Sequence, residues 1–296
     1  MASAQRNTFV IGIGNQKGGV GKTSVTAHLA AAFGERGLSV LGIDLDMNYG
    51  LTQHFGIEPE AFLGTFEVLV GEEDPEQVII TGADDGVELP RGVHIIPSRR
   101  KLEEIERALS AKNKFVVKHD ALIKPLEKIR ALDRYDVILL DTAPNATAPT
   151  LAAYRSADWF LLTAMPDPFA TRGLNDALQD IHDAQGNGNA NLRLLGVVLS
   201  AVDKRTRLAS TLSDYVEATF SSSGSTSLKF RTEITRSTVI PSAQKQGKTV
   251  FQTETTHKIA DQFRSLAAEV LERLFSAGAA KDSPGQPDSS KEAANG

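Results

Sequence analysis

The chain has 296 residues, a net charge of −5 and 41% hydrophobic residues, which is typical of a soluble globular protein with one domain or at most two. It contains no cysteine, so disulfides, iron–sulfur clusters, thiolate metal sites and cysteine nucleophiles are excluded. No apolar run approaches the roughly 20 residues that span a bilayer, and the first residues lack the pattern of a signal peptide. We therefore expect a cytoplasmic protein.

The first predicted unit is a strand, a glycine-rich loop, a helix and a second strand. Residues 8–13 (TFVIGI) are rich in β-branched side chains and lead into the glycine-rich residues 14–24 (GNQKGGVGKTS). Apolar residues then recur at helical spacing from Val25 to Phe33, and Gly37 marks the expected helix end. Residues 39–43 predict the second buried strand. Such a βαβ unit is right-handed and has parallel strands.

Strands and helices continue to alternate along the chain. Aliphatic segments predict further strands at residues 93–97, 136–140, 159–163 and 194–199. Helical stripes begin at Leu102 and Leu122, and a last helix is predicted at about residues 257–275. This alternation predicts an α/β fold with a doubly wound, mostly parallel sheet and flanking helices.

The two ends of the chain differ in composition from the rest. Residues 276–296 are small, polar and interrupted by proline, so we expect a disordered tail. Residues 1–7 are expected to form a flexible N-terminus. A single domain is therefore predicted over residues 8–275.

The loop at residues 15–24 (NQKGGVGKTS) has the composition of a phosphate-binding loop. Its backbone N–H groups and the following helix N-terminus can face phosphates, Lys22 can reach the β and γ oxygens, and Thr23 can bind Mg²⁺. The loop departs from the pattern G-x-x-x-x-G-K-[ST], because Gln16 replaces its first glycine. Lys17 is an additional lysine, and spacing alone leaves open whether it binds phosphate or faces solvent.

Three aspartates follow predicted strands. Asp141 ends an aliphatic strand and could hold Mg²⁺ directly or through water. Asp44 and Asp46 end another strand, where they could orient a water or a metal, or simply cap the loop. Hydrolysis at such a site would depend mainly on positioning and on stabilising the charge of the transferred phosphoryl group.

Several segments resemble those of one ATPase family. KGGVGKTS resembles the deviant Walker A motif of the ParA/MinD ATPases, IDLDMNYGLT their switch I, and VILLDTAPN their Walker B and switch II. LGVVLSAVDKRT and TEITRSTVIPSAQKQGKTV resemble later ParA segments, so the resemblance covers about residues 8–275 and is closer to ParA than to MinD. It implies a P-loop, Mg²⁺-dependent ATPase that forms a sandwich homodimer when ATP is bound and is stimulated by a partner.

The resemblance also implies roles for individual residues. Lys17 corresponds to the signature lysine, which crosses to the phosphates of the other subunit. Asp46 corresponds to the switch I aspartate needed for hydrolysis and Asp141 to the Walker B acid, whereas Asp44 supports the metal indirectly. With Lys17 and Lys22, Asp46 and Asp141 form the predicted catalytic set. The predicted ATP contacts are Lys17, Gly18, Gly19, Val20, Gly21, Lys22, Thr23, Ser24 and Arg236, with Thr23 also a metal ligand.

Two segments depart from the ParA pattern. Switch I usually has the form D-x-D-P-Q-G-N, and here Met47, Asn48 and Tyr49 replace P-Q-G. The segment that closes over the nucleotide usually begins I-P-R, and here Thr235 replaces the proline while Arg236 is retained. The geometry of switch I and the recognition of adenine are therefore not fixed by the resemblance.

Residues 204–248 contain eight basic and three acidic residues, an excess of five positive charges in a chain of net −5. This stretch is either an ordinary solvated surface or a basic face, assembled on dimerisation, that binds the DNA backbone without sequence preference. The predicted DNA contacts are Lys204, Arg205, Arg207, Arg231, Arg236, Lys245 and Lys248.

These features predict a nucleoid-associated switch that segregates or positions plasmid or chromosomal DNA with a ParB-like protein or a cargo adaptor. One alternative is a related ATPase that positions a protein cargo, and another is a nucleotide-binding scaffold without turnover. A MinD-like membrane regulator would need a C-terminal amphipathic helix, which residues 280–296 do not offer. We therefore expect no membrane partner.

Overall fold

A parallel β-sheet forms the centre of the molecule. The computed structural model describes residues 7–112, 118–220 and 227–279, and six strands lie within these ranges. Every neighbouring pair of strands is parallel, and their order across the sheet is β3-β2-β4-β1-β5-β6. The strands are β1 (Phe9–Gly14), β2 (Val40–Asp44), β3 (Val93–Ile96), β4 (Val137–Asp141), β5 (Trp159–Ala164) and β6 (Arg193–Leu199).

Helices of very different length connect the strands. The longer ones are α1 (Lys22–Glu35), α4 (Ile105–Lys112), α5 (Ile123–Ala131), α6 (Ala148–Ser156), α7 (Ala170–Gly186), α8 (Arg207–Thr219) and α11 (Lys258–Ala279). The shorter ones are α2 (Gly50–His54), α3 (Thr65–Val70), α9 (Val239–Lys245) and α10 (Val250–Thr253). Short 3₁₀ turns occupy Pro75–Val78, Ala83–Asp85, Arg100–Glu104 and Lys118–Asp120. None of the described helices is both long and apolar enough to cross a bilayer.

The sheet is buried on both faces, because its strands are almost entirely aliphatic. Alternate residues of β4 illustrate the division: Ile138 and Leu140 pack into one core, and Val137 and Leu139 into the other. Helices α3 to α8 supply the first core, and α1, α2 and α9 to α11 supply the second. The predicted doubly wound α/β fold is therefore confirmed.

The topology determines where a ligand can bind. In the order of the strands, β2 lies on one side of β1 and β5 lies on the other. The connection that leaves β1 leads to β2, whereas the connection that leaves β4 leads past β1 to β5. Open parallel sheets bind ligands in the crevice at the carboxyl ends of the strands where the direction reverses. The glycine-rich loop follows β1 at that position.

The predicted elements match the observed ones closely, with differences at their ends. The helical stripe from Leu102 is divided between a 3₁₀ turn and α4, and α11 extends to Ala279 rather than ending near Phe275. The Ser276 hydroxyl donates to the Glu272 carbonyl at 2.7 Å, which adds a local contact in this last part of α11. The predicted flexible N-terminus and disordered tail fall largely on residues 1–6 and 280–296, which lie outside the described residues.

Candidate nucleotide site

The glycine-rich loop joins β1 to α1. Gly19 and Gly21 have φ angles of 73° and 87°, in the left-handed region that favours glycine. A Cβ added to Gly19 would meet no atom within 4 Å, whereas one added to Gly21 would lie 3.0 Å from the Ser200 Oγ. Gly18 and Gly19 are both exposed. They leave an open backbone surface before the N-terminus of α1, as phosphate binding requires.

The second half of the loop is fixed by contacts from Ser200, which follows β6, and from α10. The Ser200 hydroxyl donates to the carbonyl of buried Val20 at 2.7 Å. The Ser24 carbonyl lies 2.7 Å from Nδ1 of His28, whose Nε2 accepts from the Val250 N–H at 3.2 Å. Burial lowers the pKa of His28 to about 4, so its neutral ring donates through Nδ1. The first turn of α1 is thereby attached to α10.

Lys22 is held inside the loop. Its Nζ donates to the carbonyls of Asn15 at 3.1 Å and Lys17 at 3.0 Å. Burial lowers the pKa of Lys22, while the charges of Asp141 and Asp46 act in the opposite direction. The ammonium group thus lies within electrostatic reach of the carboxylates predicted to share the site.

Asp141 at the end of β4 is fully buried and accepts two side-chain hydrogen bonds. The Thr23 hydroxyl donates to its Oδ2 at 2.8 Å, and the Thr26 hydroxyl donates to its Oδ1 at 2.9 Å. Burial and the nearby charge of Asp44 raise the pKa of Asp141. The structure therefore brings together the predicted pair Thr23 and Asp141. Sequence reasoning missed Thr26, although its position three residues after Thr23 places it on the same helix face.

The oxygen ligands at this site fit Mg²⁺ only when a nucleotide is bound as well. Among the described residues, no group of three or more histidine or acidic side chains is arranged to hold a metal. Thr23 and Asp141 supply a hydroxyl and a carboxylate close together. Mg²⁺ commonly uses one or two protein oxygens and completes its coordination with phosphates and water. The residues present fit a magnesium–nucleotide complex rather than a free ion.

Asp44 and Asp46 have different surroundings. Asp44 is fully buried, and its Oδ2 accepts from the N–H of Thr52 at 2.9 Å and from its hydroxyl at 2.7 Å. The other Asp44 oxygen accepts from the Asp46 N–H at 3.1 Å. The carboxylate of Asp46 is partly exposed and accepts from the Asn48 N–H and side-chain amide at 2.9 Å. Asp44 therefore anchors switch I, while Asp46 remains accessible to solvent.

Tyr49 has an unusual backbone conformation. It stands where the ParA pattern has glycine, and its φ of 47° is left-handed. Non-glycine residues adopt this region at a cost of about 1 kcal/mol or more. Tyr49, which precedes α2, thus has a backbone conformation that a glycine would adopt without this cost.

Lys17 lies at the rim of the loop and not among its carbonyls. Its Nζ forms an ion pair with the Asp167 carboxylate, in the segment that follows β5. It also lies 6.0 Å from the ring of Phe169, which is 70% exposed. The backbone N–H of Lys17 takes no part in this ion pair and donates to Oδ1 of Asn15 at 2.8 Å. Lys17 and Lys22 are therefore held by different groups.

A cavity of about 270 Å³ opens beside the phosphate loop. It is bounded by the loop, the end of β6 and the segment before α9, and Arg236 contributes to its wall. Arg236 is exposed, and its N–H donates to the Val202 carbonyl at 3.0 Å. The remaining walls are formed by Gly19, Gly21, Ser24, Val25, Met165, Ser200, Ala201, Ile234, Thr235, Ser237, Ile240, Pro241 and Phe263.

The residues predicted to contact DNA differ in whether their charge is already paired with a carboxylate. Four of them form ion pairs, with N···O distances of 3.6, 2.8, 2.7 and 2.9 Å: Lys204 with Glu233, Arg205 with Asp203, Arg231 with Glu272, and Lys248 with Glu88. Three others are exposed and have no ion pair within the part of the chain that the structure describes: Arg207, Arg236 and Lys245. Three of these carboxylates, those of Asp203, Glu272 and Glu88, come from outside the basic stretch and offset part of its charge.

The fold and the phosphate loop together define a P-loop nucleoside triphosphatase. A family model described as an AAA domain matches residues 8–194. The chain is 30% identical over 264 residues to the chromosome-partitioning ATPase Soj of Thermus thermophilus, covering 89% of this chain and 96% of that protein. It is also 30% identical over 267 residues to the chromosome partitioning protein ParA of Caulobacter vibrioides, covering 89% and 94%.

A solved structure is similar over nearly the whole chain. Cobyrinic acid a,c-diamide synthase from Mycobacterium smegmatis, with a bound ATP analogue and magnesium, gives a TM-score of 0.75 at 26% identity, covering 91% of this chain and 96% of that one. With the family match and the two relatives, the chain belongs to the AAA domain family and is a ParA-type ATPase. The predicted activity class and the predicted cofactors, ATP and Mg²⁺, are confirmed.

Proposed function

We propose that this ParA-type ATPase is a switch that dimerises with ATP, binds DNA without sequence preference and hydrolyses ATP to segregate or position plasmid or chromosomal DNA. The similarity to Soj and ParA proteins named for chromosome partitioning supports this proposal. A ParB-like protein or a cargo adaptor would stimulate hydrolysis, and the protein would act at the nucleoid.

The position of Lys17 is the observation that carries the proposal. Within one chain, Lys22 already occupies the interior of the loop, and Lys17 is paired with Asp167 at its rim. The position of Lys17 at the rim, beside the exposed ring of Phe169, supports a contact with a second subunit. We infer that Lys17 leaves Asp167 and contacts the phosphates bound by that subunit. The charge that develops during hydrolysis would then be met by both chains.

The other site residues would act on the nucleotide of their own chain. Lys22 and the N–H groups of residues 18–24 would bind the phosphates, and Thr23 and Asp141 would hold Mg²⁺, which neutralises phosphate charge when bound. Asp46, whose carboxylate is accessible, would orient the attacking water. Asp44 would support this arrangement indirectly through the Asp46 N–H.

The nucleoside is proposed to occupy the cavity beside the loop. The cavity shares Gly19, Gly21 and Ser24 with the phosphate loop, so a nucleotide could span both. Arg236 lies in the same wall and could contact the ribose or phosphates. The apolar side chains of Ile240 and Phe263 offer surfaces for a purine ring.

The ion pairs narrow the predicted DNA-binding set. A cation that is already paired gains less from a phosphate, because the existing pair must be broken first. Arg207 and Lys245 lack such pairs within the described part of the chain, and both are exposed. We propose that these two residues, with Arg236, contribute most of the phosphate contacts, and that Lys204, Arg205, Arg231 and Lys248 contribute less.

Two double variants test this proposal. Arg207→Ala/Lys245→Ala removes two unpaired cations, and Lys204→Ala/Arg231→Ala removes two paired cations as a matched control. With ATP, the first variant is expected to bind random duplex DNA more weakly and to reduce the slope of log K against log salt by about 1 per residue. The control is expected to change the slope by clearly less. Equal slopes in both variants and wild type would contradict these contacts.

The pairing of the basic residues also favours a second candidate, an ATPase that positions a protein cargo. A largely neutralised stretch is suited to a protein surface as well as to DNA. If wild-type protein shows no ATP-dependent, salt-sensitive retention on random duplex DNA, the DNA proposal fails and this candidate takes its place.

A further inference from the structure

The carboxylate of Asp180, on helix α7, contacts the phosphate loop. The Gln16 side-chain amide donates to Oδ2 of Asp180 at 2.7 Å, and the two residues are 164 positions apart in sequence. Gln16 stands where the usual P-loop has glycine, so its side chain gives this loop a contact that a glycine could not make. Asp180 belongs to none of the sequence motifs of the site.

Asp180 is itself held in place. It is partly buried, and it lies close enough to the hydroxyl of buried Tyr154 on α6 for that group to act on its pKa. The Tyr154 ring stacks on Phe160 of β5 with centroids 3.9 Å apart. Burial raises the pKa of Asp180, and the hydrogen bond from Gln16 acts in the opposite direction. The acceptor of Gln16 is therefore partly buried, close to a packed aromatic side chain of α6.

Helix α7 also touches the residues on both sides of Gln16. A Cβ added to Gly173 would lie 2.5 Å from Oδ1 of Asn15 and 3.0 Å from Cβ of Lys17. The helix backbone thus approaches the loop closely at its first turns, and Asp180 reaches the loop two turns later. Gln16 is the residue of this segment that is tied to α7 by a side-chain hydrogen bond.

The segment attached to α7 is the one that holds the ammonium group of Lys22. Lys22 Nζ donates to the carbonyls of Asn15 and Lys17, the immediate neighbours of Gln16. The Asn15 carbonyl shares a peptide unit with the Gln16 N–H, and the Lys17 carbonyl belongs to the next residue along the chain, so a displacement of the Gln16 backbone would disturb both acceptors. The hydrogen bond of the Gln16 side chain is thus connected through the backbone to the acceptors of Lys22.

We propose that Asp180 is a positioning residue for ATP turnover, acting through Gln16 on the two carbonyls that orient Lys22. The inference rests on the proposed role of Lys22 in binding the phosphates. Asp180 touches neither the nucleotide nor the metal in this account. Its effect on turnover is transmitted entirely by the Gln16 hydrogen bond, and this can be tested by removing either partner.

A double-mutant cycle in the full chain tests the proposal. Gln16→Ala and Asp180→Ala are each expected to lower kcat/KM for ATP by about three- to tenfold, the effect of one hydrogen bond. The double variant should be no worse than the poorer single variant, because both changes remove the same contact. Asp180→Asn retains an acceptor oxygen and should restore most of the activity. Asp176→Ala, one turn earlier on α7, serves as the matched control and should leave kcat/KM unchanged.

Three results would overturn the inference. One is a multiplicative loss in the double variant, and another is a failure of Asp180→Asn to exceed Asp180→Ala. The third is an Asp180→Ala protein with a lowered thermal midpoint but wild-type kcat/KM, which would assign Asp180 a purely structural role. If Asp180→Ala does not fold, Gln16→Ala and Asp180→Asn still decide the question. Loss of ATP binding in Lys22→Ala alongside any of these results would leave the proposed function intact.

Discussion

Asp44 and Asp141 are buried carboxyl groups at the ends of adjacent strands, in register with each other. Burial raises the pKa of Asp44 to about 6 and that of Asp141 to about 8. The ordinary pKa of an aspartate is about 4. Between that pH and the raised pKa of each group, the folded chain therefore binds more protons than the unfolded chain. The contribution of both groups to the free energy of unfolding therefore falls as pH rises from about 4 to about 8.

Asp141→Asn should remove most of this pH dependence, because the amide has the same shape and does not ionise. Without nucleotide, we expect the variant to raise the thermal midpoint at pH 8 and to raise it less, or not at all, at pH 5. Unfolding followed at several pH values measures the effect, with the exposed Asp84→Asn as control. An equal shift at both pH values would show that the carboxylate of Asp141 is not destabilised by burial.

Helix α2 links switch I to the neighbouring strand ends. Thr52 donates its N–H and its hydroxyl to Asp44, and its hydroxyl accepts from the Ser98 N–H at 2.8 Å. The Asp46 carbonyl accepts from the Ser98 hydroxyl at 2.8 Å. Gly50, at the start of the helix, leaves room for Thr23, because a Cβ there would lie 3.3 Å from the Thr23 hydroxyl oxygen. This short helix therefore connects three parts of the site.

Thr52→Val should loosen this connection with little change in side-chain volume. It removes one of the two hydrogen bonds that Oδ2 of Asp44 accepts and leaves the buried Ser98 N–H without its acceptor, so we expect a loss of about 1 to 3 kcal/mol in the free energy of unfolding. Turnover should fall more than ATP binding, since Asp46 acts on hydrolysis. Denaturant unfolding and steady-state kinetics measure the two effects. Thr52→Ser keeps the hydroxyl and should behave nearly as wild type; equal losses in both variants would argue against the hydrogen bonds.

The elements differ in how far the sequence could predict them. Strands β1, β2 and β4 are continuous aliphatic runs, and the loop between β1 and α1 has fixed spacing, so Lys22, Thr23 and Asp141 could be grouped in advance. Helix α2 has five residues, too few for a helical stripe to be visible. Asp180 and Ser200 contact the loop across 164 and 180 residues, and no local pattern indicates such pairs. Thr26 alone among the missed residues had a local signal.

At the scale of the whole molecule, the site is assembled along one edge of the sheet. Residues following β1, β2, β4, β5 and β6 all contribute, because the carboxyl ends of parallel strands meet there. On the proposed account, however, a single chain supplies an incomplete site, since its Lys17 is paired with Asp167 at the rim. The central claim is that each site is completed by Lys17 of a second copy.

Mixing two inactive variants tests this claim most directly. Lys17→Ala retains its own phosphate loop, and Lys22→Ala retains its own Lys17, so a mixed dimer contains one complete site. We predict that ATP turnover of the mixture rises well above the sum of the two separate proteins. Mixing Lys17→Ala with the double variant Lys17→Ala/Lys22→Ala should restore nothing. Turnover that stays at the sum of the separate variants at every mixing ratio would contradict the account.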